Sequence, residues 1–201
     1  APLPGAYVDE HGNWHVSVVD RTGQVPPVLW SCHTDTVHHG SGGPQRIVFD
    51  GRTGEITVAK RSKGTSSCLG ADDTAGVWLC RELILAGKPG WYVFHNGEEV
   101  GGLGSGDLAR DSAEWLSKTF HYASALDRGG TGDVITHQMV GRTASDAFAE
   151  ALAEQLGKGW APCSLGSYTD TAEYAGLIPE CTNLSVGYTR AHSAAETLNL
   201  Y

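Results

Sequence analysis

The sequence lacks several features that would place a protein outside the ordinary globular class. Its 201 residues contain no internal repeat and no low-complexity tract. No stretch comes near the roughly 18 consecutive apolar residues that a membrane span needs. Residues 1–5 have neither the basic start nor the apolar core of a secretory signal. These absences predict a chain without a membrane partner.

Basic residues are scarce. The chain has 14 Lys and Arg against 23 Asp and Glu, which gives a formal net charge of −9, and no basic cluster exceeds a few residues. Nucleic acids and anionic membranes bind to positive patches, so the composition argues against either partner. If several of these carboxylates bind divalent cations, the bound ions would neutralise part of the negative charge.

Cysteine is also sparse. The five cysteines are odd in number, and their spacing shows neither a Cys-x-x-Cys pair nor a disulfide framework. Free thiols in a reducing compartment are the simpler interpretation. We therefore expect a cytoplasmic protein.

The apolar pattern predicts strands that alternate with helices. The length suits one well-buried domain and is short for two, so we expect a single domain over 1–201. The clearest helix is predicted over 143–156, with Thr143 as its N-cap and Asp146 as an acidic capping partner. This alternation is typical of a three-layer α/β/α domain with a mostly parallel mixed central sheet and antiparallel hairpins at one edge. The other predicted elements are hairpins over 7–19 and 46–58, strands over 28–32, 91–94, 120–126 and 183–186, a helix over 74–86 and a short terminal helix over 193–198.

Polar side chains gather at the ends of these elements. In an open α/β sheet, binding sites form in the crevice beyond the carboxyl ends of the strands. Five segments would therefore bring acidic and imidazole side chains to one edge of the sheet. Asp72 lies at the start of a predicted helix, and the side chains that follow a predicted strand are His33, Glu98, Glu99, Asp127 and His192.

Each short motif suits a metal site, although each also has an ordinary structural explanation. His33 could bind zinc while Asp35 holds its second ring nitrogen, yet His-x-Asp is common by chance. Asp72 or Asp73 could bridge two metals, yet Asp is a frequent N-cap. In the pair Glu98-Glu99 one acid could bind metal while the other holds a water, yet a lone Glu-Glu pair usually forms a solvated face.

The motifs taken together point to a metal centre. Their order and their positions at element boundaries are much less expected by chance than any one motif alone. Imidazole and carboxylate ligands without thiolates suit Zn²⁺, with Co²⁺ or Mn²⁺ as substitutes, and a hydrolytic rather than a structural role.

The order of these motifs resembles that of the co-catalytic zinc exopeptidases and deacylases. The stretches LGADDTAGV and NGEEVGGLGS are most similar to peptidase T and its tripeptidase-like relatives. The resemblance covers the chain from about His33 to the C-terminus. It implies a zinc-exopeptidase (phosphorylase/hydrolase-like) architecture and two Zn²⁺ ions as cofactors.

Carried over residue by residue, the resemblance implies a role for each motif. Asp72 would bridge the two metals, Glu98 would be the general base, and Asp35 would be the partner of His33. One metal would be held by His33, Asp72 and Asp127, and the other by Asp72, Glu99 and His192.

The chain departs from many of these relatives in one respect. Two-domain members carry an inserted domain before the final His, and Asp127 and His192 are too close in sequence to hold one. The resemblance therefore implies a single catalytic domain over 1–201 and a monomer or weak oligomer. Specificity would come from loops such as 37–45 and 129–133.

The function implied is hydrolysis of amide bonds in small peptides. An aminopeptidase or other exopeptidase would use a metal-bridging water, with Glu98 as the base. A deacylase of N-acyl amino acids on the same site is the alternative, and a non-catalytic binding module of the same fold is a third. Tyr168 and Tyr188 are candidates for stabilising the oxyanion. Arg128 and Arg190 could hold a substrate carboxylate or could form structural ion pairs.

Overall fold

The described residues, 3–38, 45–59 and 67–201, form fourteen strands and four α-helices in this computed structural model. The helices are α1 (Ala71–Leu85), α2 (Leu103–Asp111), α3 (Ala113–Thr119) and α4 (Asp146–Leu156). The strands are β1 (Tyr7–Val8), β2 (Trp14–Val18), β3 (Val28–His33), β4 (Ile47–Asp50), β5 (Glu55–Val58), β6 (Gly90–His95), β7 (Tyr122–Arg128), β8 (Asp133–Ile135), β9 (His137–Gln138), β10 (Gly141–Arg142), β11 (Ala161–Cys163), β12 (Glu180–Ser185), β13 (Tyr188–Thr189) and β14 (Thr197–Asn199).

Eight of the strands form the central sheet, in the order β1-β2-β6-β3-β7-β12-β8-β11. The run β6-β3-β7-β12 is parallel throughout, and β8 and β11 pair in parallel at one edge. The β1–β2 hairpin lies at the other edge, and the β2–β6 and β12–β8 pairs are antiparallel. The predicted mostly parallel mixed sheet is therefore confirmed.

Helices cover both faces of this sheet. On one face, Ile84 of α1 and Ala149 of α4 belong to the same apolar cluster. On the other face, Leu108 of α2 and Leu116 of α3 belong to a second cluster. Successive residues of β6 contribute to the two clusters in turn, as the alternation of side chains along a strand requires. The three-layer α/β/α architecture is confirmed. None of the helices in the described ranges is both long and apolar enough to cross a membrane.

Two smaller sheets lie beside the central one. Strands β13, β14, β5 and β4 form an antiparallel sheet in that order, and β9 and β10 form a short hairpin. The turn between β13 and β14 contains His192, so this small sheet fixes the last of the predicted metal ligands.

The predicted N-cap of the helix over 143–156 is wrong. Helix α4 begins at Asp146, and the Ser145 side chain accepts the capping hydrogen bond from the Phe148 N–H at 3.2 Å. Thr143 does not start the helix because its main chain is already bonded elsewhere. Its N–H donates to a carbonyl in the segment after β8, and its carbonyl accepts the Cys181 N–H at 2.7 Å.

The predicted terminal helix over 193–198 is also wrong. Residues 197–199 form β14, which pairs with both β13 and β5. Pairing on two sides outweighs the weak local preference of a short polar segment. Helix α2 was not predicted either, because its first turn, Leu103-Gly104-Ser105-Gly106, has low intrinsic helix propensity.

Candidate metal centre

The site lies where the parallel strands end. His33 is the last residue of β3, Asp127 is the next-to-last residue of β7, and Glu98 and Glu99 lie in a 3₁₀ turn just after β6. These three strands are neighbours with the same direction, so their carboxyl ends meet at one edge. Asp72 reaches the same edge from the first turn of α1, which packs on β3 and β7.

The Asp72 carboxylate lies between two imidazoles. Its Oδ1 is 3.1 Å from Nε2 of His33, and its Oδ2 is 3.2 Å from Nε2 of His192. The His33 nitrogen is also 3.5 Å from Oδ1 of Asp127, and the His192 nitrogen is 2.9 Å from Oε1 of Glu99. In the groups His33-Asp72-Asp127 and Asp72-Glu99-His192, the donor atoms all lie within 4.8 Å of one another.

The structure thus brings together all five side chains for which a ligand role was predicted, in the two groups that the sequence suggested. A third group of the same kind, His33-Glu98-Glu99, includes the predicted base. The five ligand roles themselves stay predictions, because they depend on the ions.

The geometry around His33 favours a cation between its ring and the carboxylates. Its Nδ1 lies 2.9 Å from the main-chain oxygen of Asp35, and a carbonyl can only accept, so this nitrogen carries a proton. The neutral ring then directs the lone pair of Nε2 towards the oxygens of Asp72 and Asp127. A metal ion bound there would be held by Nε2 and these oxygens, and protonation of Nε2 is the alternative.

The pKa values of three acids in the cluster are raised, first by burial and then by the charge of neighbouring acids. Burial, followed by the charge of Asp127, raises the pKa of Glu98 to about 9. Burial also raises the pKa values of Asp127 and Glu99. Burial alone would lower the pKa of His33, but the carboxylates around it, Asp127 first, outweigh that effect and raise it. Divalent cations would relieve this repulsion, so the donor set fits a metal centre.

Asp35 contacts His33, although mainly in a different way from the one expected. Its carboxylate Oδ1 is 3.5 Å from Nδ1 of His33, farther than its main-chain oxygen. The carboxylate instead accepts the main-chain N–H groups of Gly97, Glu98 and Glu99 at 3.1–3.2 Å. Asp35 therefore holds the turn that presents the predicted base and one predicted ligand.

Glu196 holds the other acidic turn, and sequence reasoning missed it. Its side chain is 2% exposed, and its carboxylate accepts the N–H of Gly70 at 2.8 Å and that of Asp72 at 3.1 Å. Asp72 and Asp73 lie outside regular helical geometry, and the peptide bond between them is cis. The one signal in the sequence was an acid four residues after His192, in a segment predicted as helix.

Asp73 is a structural neighbour of the cluster. It is buried, and its carboxylate accepts the N–H of Gly76 at 3.0 Å and that of His33 at 3.2 Å. The side chain therefore joins the start of α1 to the end of β3.

The cluster opens into a cleft of about 390 Å³. Tyr188 lies in its wall, and its hydroxyl donates towards the Asp127 main-chain oxygen at 3.1 Å. The Tyr168 hydroxyl donates to Glu173 at 2.9 Å. Both protons are therefore committed to other acceptors. The cleft is lined by Asp72, Glu98, Glu99, Gly101, Asp127, Arg128, Gly129, Met139, Ser167, Tyr168, Tyr188 and His192.

The two predicted arginines differ in position. Arg128 lines the cleft, as does Gly129 of the predicted specificity loop 129–133. Arg190 lies outside it, with an exposed side chain 4.0 Å from Glu55. Most of the other predicted specificity loop, 37–45, lies outside the described residues.

Comparison with solved structures identifies the architecture. The aminopeptidase PepT from Bacillus cereus superposes with a TM-score of 0.71 at 17% identity, over 96% of this chain and 83% of that one. A tripeptidase from Staphylococcus aureus gives 0.68 at 15% identity, with the same coverage of 96% and 83%. The chain has the zinc-exopeptidase fold. A zinc aminopeptidase from Bacillus subtilis shares this fold at a TM-score of 0.57 and 16% identity, over 91% of this chain and 43% of that one. In sequence, the chain matches no protein-family model and no curated protein.

Proposed function

We propose that this chain is a metal-dependent hydrolase that cleaves amide bonds in small peptides, as an aminopeptidase or other exopeptidase. The observation that carries the proposal is the Asp72 carboxylate, which presents one oxygen to His33 and the other to His192. A carboxylate shared in this way suits two adjacent metal ions. Solved proteins with the same fold include an aminopeptidase, a tripeptidase and a zinc aminopeptidase, which agrees with this function.

The proposed cofactors are two Zn²⁺ ions, with Co²⁺ or Mn²⁺ as substitutes. His33 and Asp127 would complete one site with Asp72, and Glu99 and His192 would complete the other. When bound, such ions polarise a scissile carbonyl and lower the pKa of a water between them. The ligand set of nitrogen and oxygen atoms without thiolates suits this catalytic role.

Glu98 is the proposed general base. It lines the cleft beside the cluster, and its main-chain N–H donates to Asp35 at 3.1 Å, which fixes where its side chain starts. Its raised pKa shows that its carboxylate binds a proton readily. Positive charge near Asp127 and Glu99 would bring that pKa down towards neutral pH. Glu98 would then take the proton of the attacking water and pass it to the leaving amine nitrogen.

The test uses zinc-loaded protein and the variant Glu98→Gln. Dipeptides and aminoacyl-anilides report exopeptidase activity, and N-acetyl amino acids report the alternative, a deacylase. We expect the variant to lose about 10²- to 10⁴-fold in kcat, because general acid–base catalysis contributes about that much, and to keep its bound zinc. Glu114→Gln is the matched control, since Glu114 is exposed, pairs with Lys118 and does not line the cleft among the described residues.

Two outcomes would contradict the proposal in different ways. Full activity in Glu98→Gln would show that another group moves the proton. No activity of the zinc-loaded wild type on either substrate class would leave the non-catalytic binding module as the function of this fold. A measured zinc content of two per chain, falling in Asp72→Ala, would support the shared carboxylate.

A further inference from the structure

One side chain in the cleft has a charge opposite to that of its neighbours. Arg128 is the only Lys or Arg among the described residues that line the cleft, where Asp72, Glu98, Glu99 and Asp127 supply four carboxyl groups. It directly follows Asp127 in β7, so the strand that holds the metal cluster also holds this guanidinium.

Among the described residues, only one edge of the Arg128 guanidinium has a hydrogen-bond partner. Its Nε lies 3.3 Å from Oδ2 of Asp133, which fixes the side chain from one edge. Its two terminal nitrogens have no hydrogen-bond partner within the described part of the chain. The side chain is 26% exposed and lines the cleft. A guanidinium with two free terminal N–H groups is suited to bind a carboxylate through two parallel hydrogen bonds.

Among the described residues that line the cleft, no carboxyl group is left over to bind a substrate ammonium group. The four carboxyl groups that line it are those of the proposed metal ligands and of the proposed base. Among the described residues, no further Asp or Glu lines the cleft and could bind a free α-ammonium. The side chain available for a charged substrate group is therefore Arg128.

We infer that Arg128 selects substrates with a free α-carboxylate next to the scissile bond, namely dipeptides and N-acyl amino acids. This inference rests on the proposed hydrolase function and narrows its substrate class. The cleft has a volume of about 390 Å³, which lies in the range of small-molecule sites and suits a substrate of this size. Arg128 would then recognise the amino acid on the leaving-group side of the scissile bond. The acyl group on the other side could come from an amino acid or from a simple carboxylic acid.

The kinetic test compares substrates that differ only in this carboxylate. The pairs are leucyl-alanine with leucyl-alaninamide, and N-acetylalanine with its amide. We expect kcat/KM of the zinc-loaded wild type to favour the acid about 10- to 100-fold, the range for a hydrogen-bonded charge pair. In Arg128→Gln this ratio should fall to near one, mainly because KM rises for the acid. Arg128→Lys should recover only part of it, since Lys lacks the planar fork.

Arg142→Gln is the matched control. Arg142 forms a comparable pair with Asp146 at 2.7 Å, on an exposed surface outside the cleft, so its loss should leave the ratio unchanged. General damage to the fold would lower both members of a pair together. An equal kcat/KM for acid and amide in the wild type, or a ratio unaffected by Arg128→Gln, would overturn the inference.

A binding test separates this inference from the proposed function. Calorimetric titration of zinc-loaded Glu98→Gln with each acid and amide measures recognition without turnover. We expect at least about tenfold tighter binding of the acid, and loss of that difference in the double variant Glu98→Gln with Arg128→Gln. If the wild type hydrolyses none of the four compounds, the proposed function fails, and this titration still decides the role of Arg128. Equal binding of acid and amide would refute that role.

Discussion

Asp170 supplies a sharp test of the electrostatics of this fold. It is fully buried, and neither carboxylate oxygen has a hydrogen-bond partner among the described residues. Burial raises its pKa to about 8, although the nearby Ser105 opposes the shift. We predict that Asp170→Asn, which keeps the shape and cannot ionise, flattens the dependence of stability on pH.

The sign and size follow from proton linkage. The unfolded chain loses the Asp170 proton above about pH 4, whereas the folded protein keeps it up to about pH 8. The folded state therefore binds more protons between these values, and its stability falls as pH rises through them. At about 1.4 kcal/mol per pH unit, the wild type loses roughly 3 kcal/mol more than the variant between pH 5 and pH 7.

The assay is urea unfolding followed by circular dichroism, at several pH values between 5 and 8 in the presence of a chelator. The chelator keeps metal binding from adding its own pH dependence. Asp146→Asn serves as the control, because Asp146 is exposed and ionised in both states over this range, and it should give the wild-type slope. Parallel stability curves for the wild type and Asp170→Asn would refute the reasoning.

Two further predictions concern the packing of α1 and the support of its acidic turn. Gly76→Ala should destabilise the protein by about 3 kcal/mol, because the added Cβ would lie 2.0 Å from the Leu126 carbonyl oxygen. Gly106→Ala is the control and should be neutral or slightly stabilising, because the nearest atom to its added Cβ lies at 3.6 Å. Equal effects of the two substitutions in thermal unfolding would contradict this prediction. Glu196→Gln should weaken zinc binding about 10- to 100-fold in a competition with a chelating dye, because outer-shell partners contribute that much. Glu180→Gln, which removes a similar carboxylate at the start of α4, should leave zinc affinity unchanged, and equal affinities in the two variants would contradict the role of Glu196.

The sheet and its site edge were predictable because two local signals coincide there. The apolar runs before His33 and after Pro89 are short, bounded by turn residues and too apolar for the surface, which indicates buried parallel strands. A polar residue at the end of such a run cannot be explained by core packing. Strand direction alone then brings these residues to one edge, so the juxtaposition needed no knowledge of long-range contacts.

The start of α4 shows why other boundaries were not predictable. Thr143 and Ser145 both have side chains that suit an N-cap, and the local sequence does not distinguish them. The choice is made by main-chain bonds from Thr143 to distant segments, which hold it in an extended connection. Contacts of this kind have no signature in a window of neighbouring residues. The predicted single domain over 1–201, the cytoplasmic location and the weak or absent self-association stay predictions.

The roles of the acids divide in a way that residue type alone does not reveal. Asp35, Asp73 and Glu196 all lie near the cluster, yet each directs its carboxylate at main-chain N–H groups. These three side chains hold the turns that carry the predicted ligands, so they are acids near the site that are not free to bind an ion. Because the predicted ligands lie on turns held by these acids, we expect bound metal to stabilise this edge of the sheet.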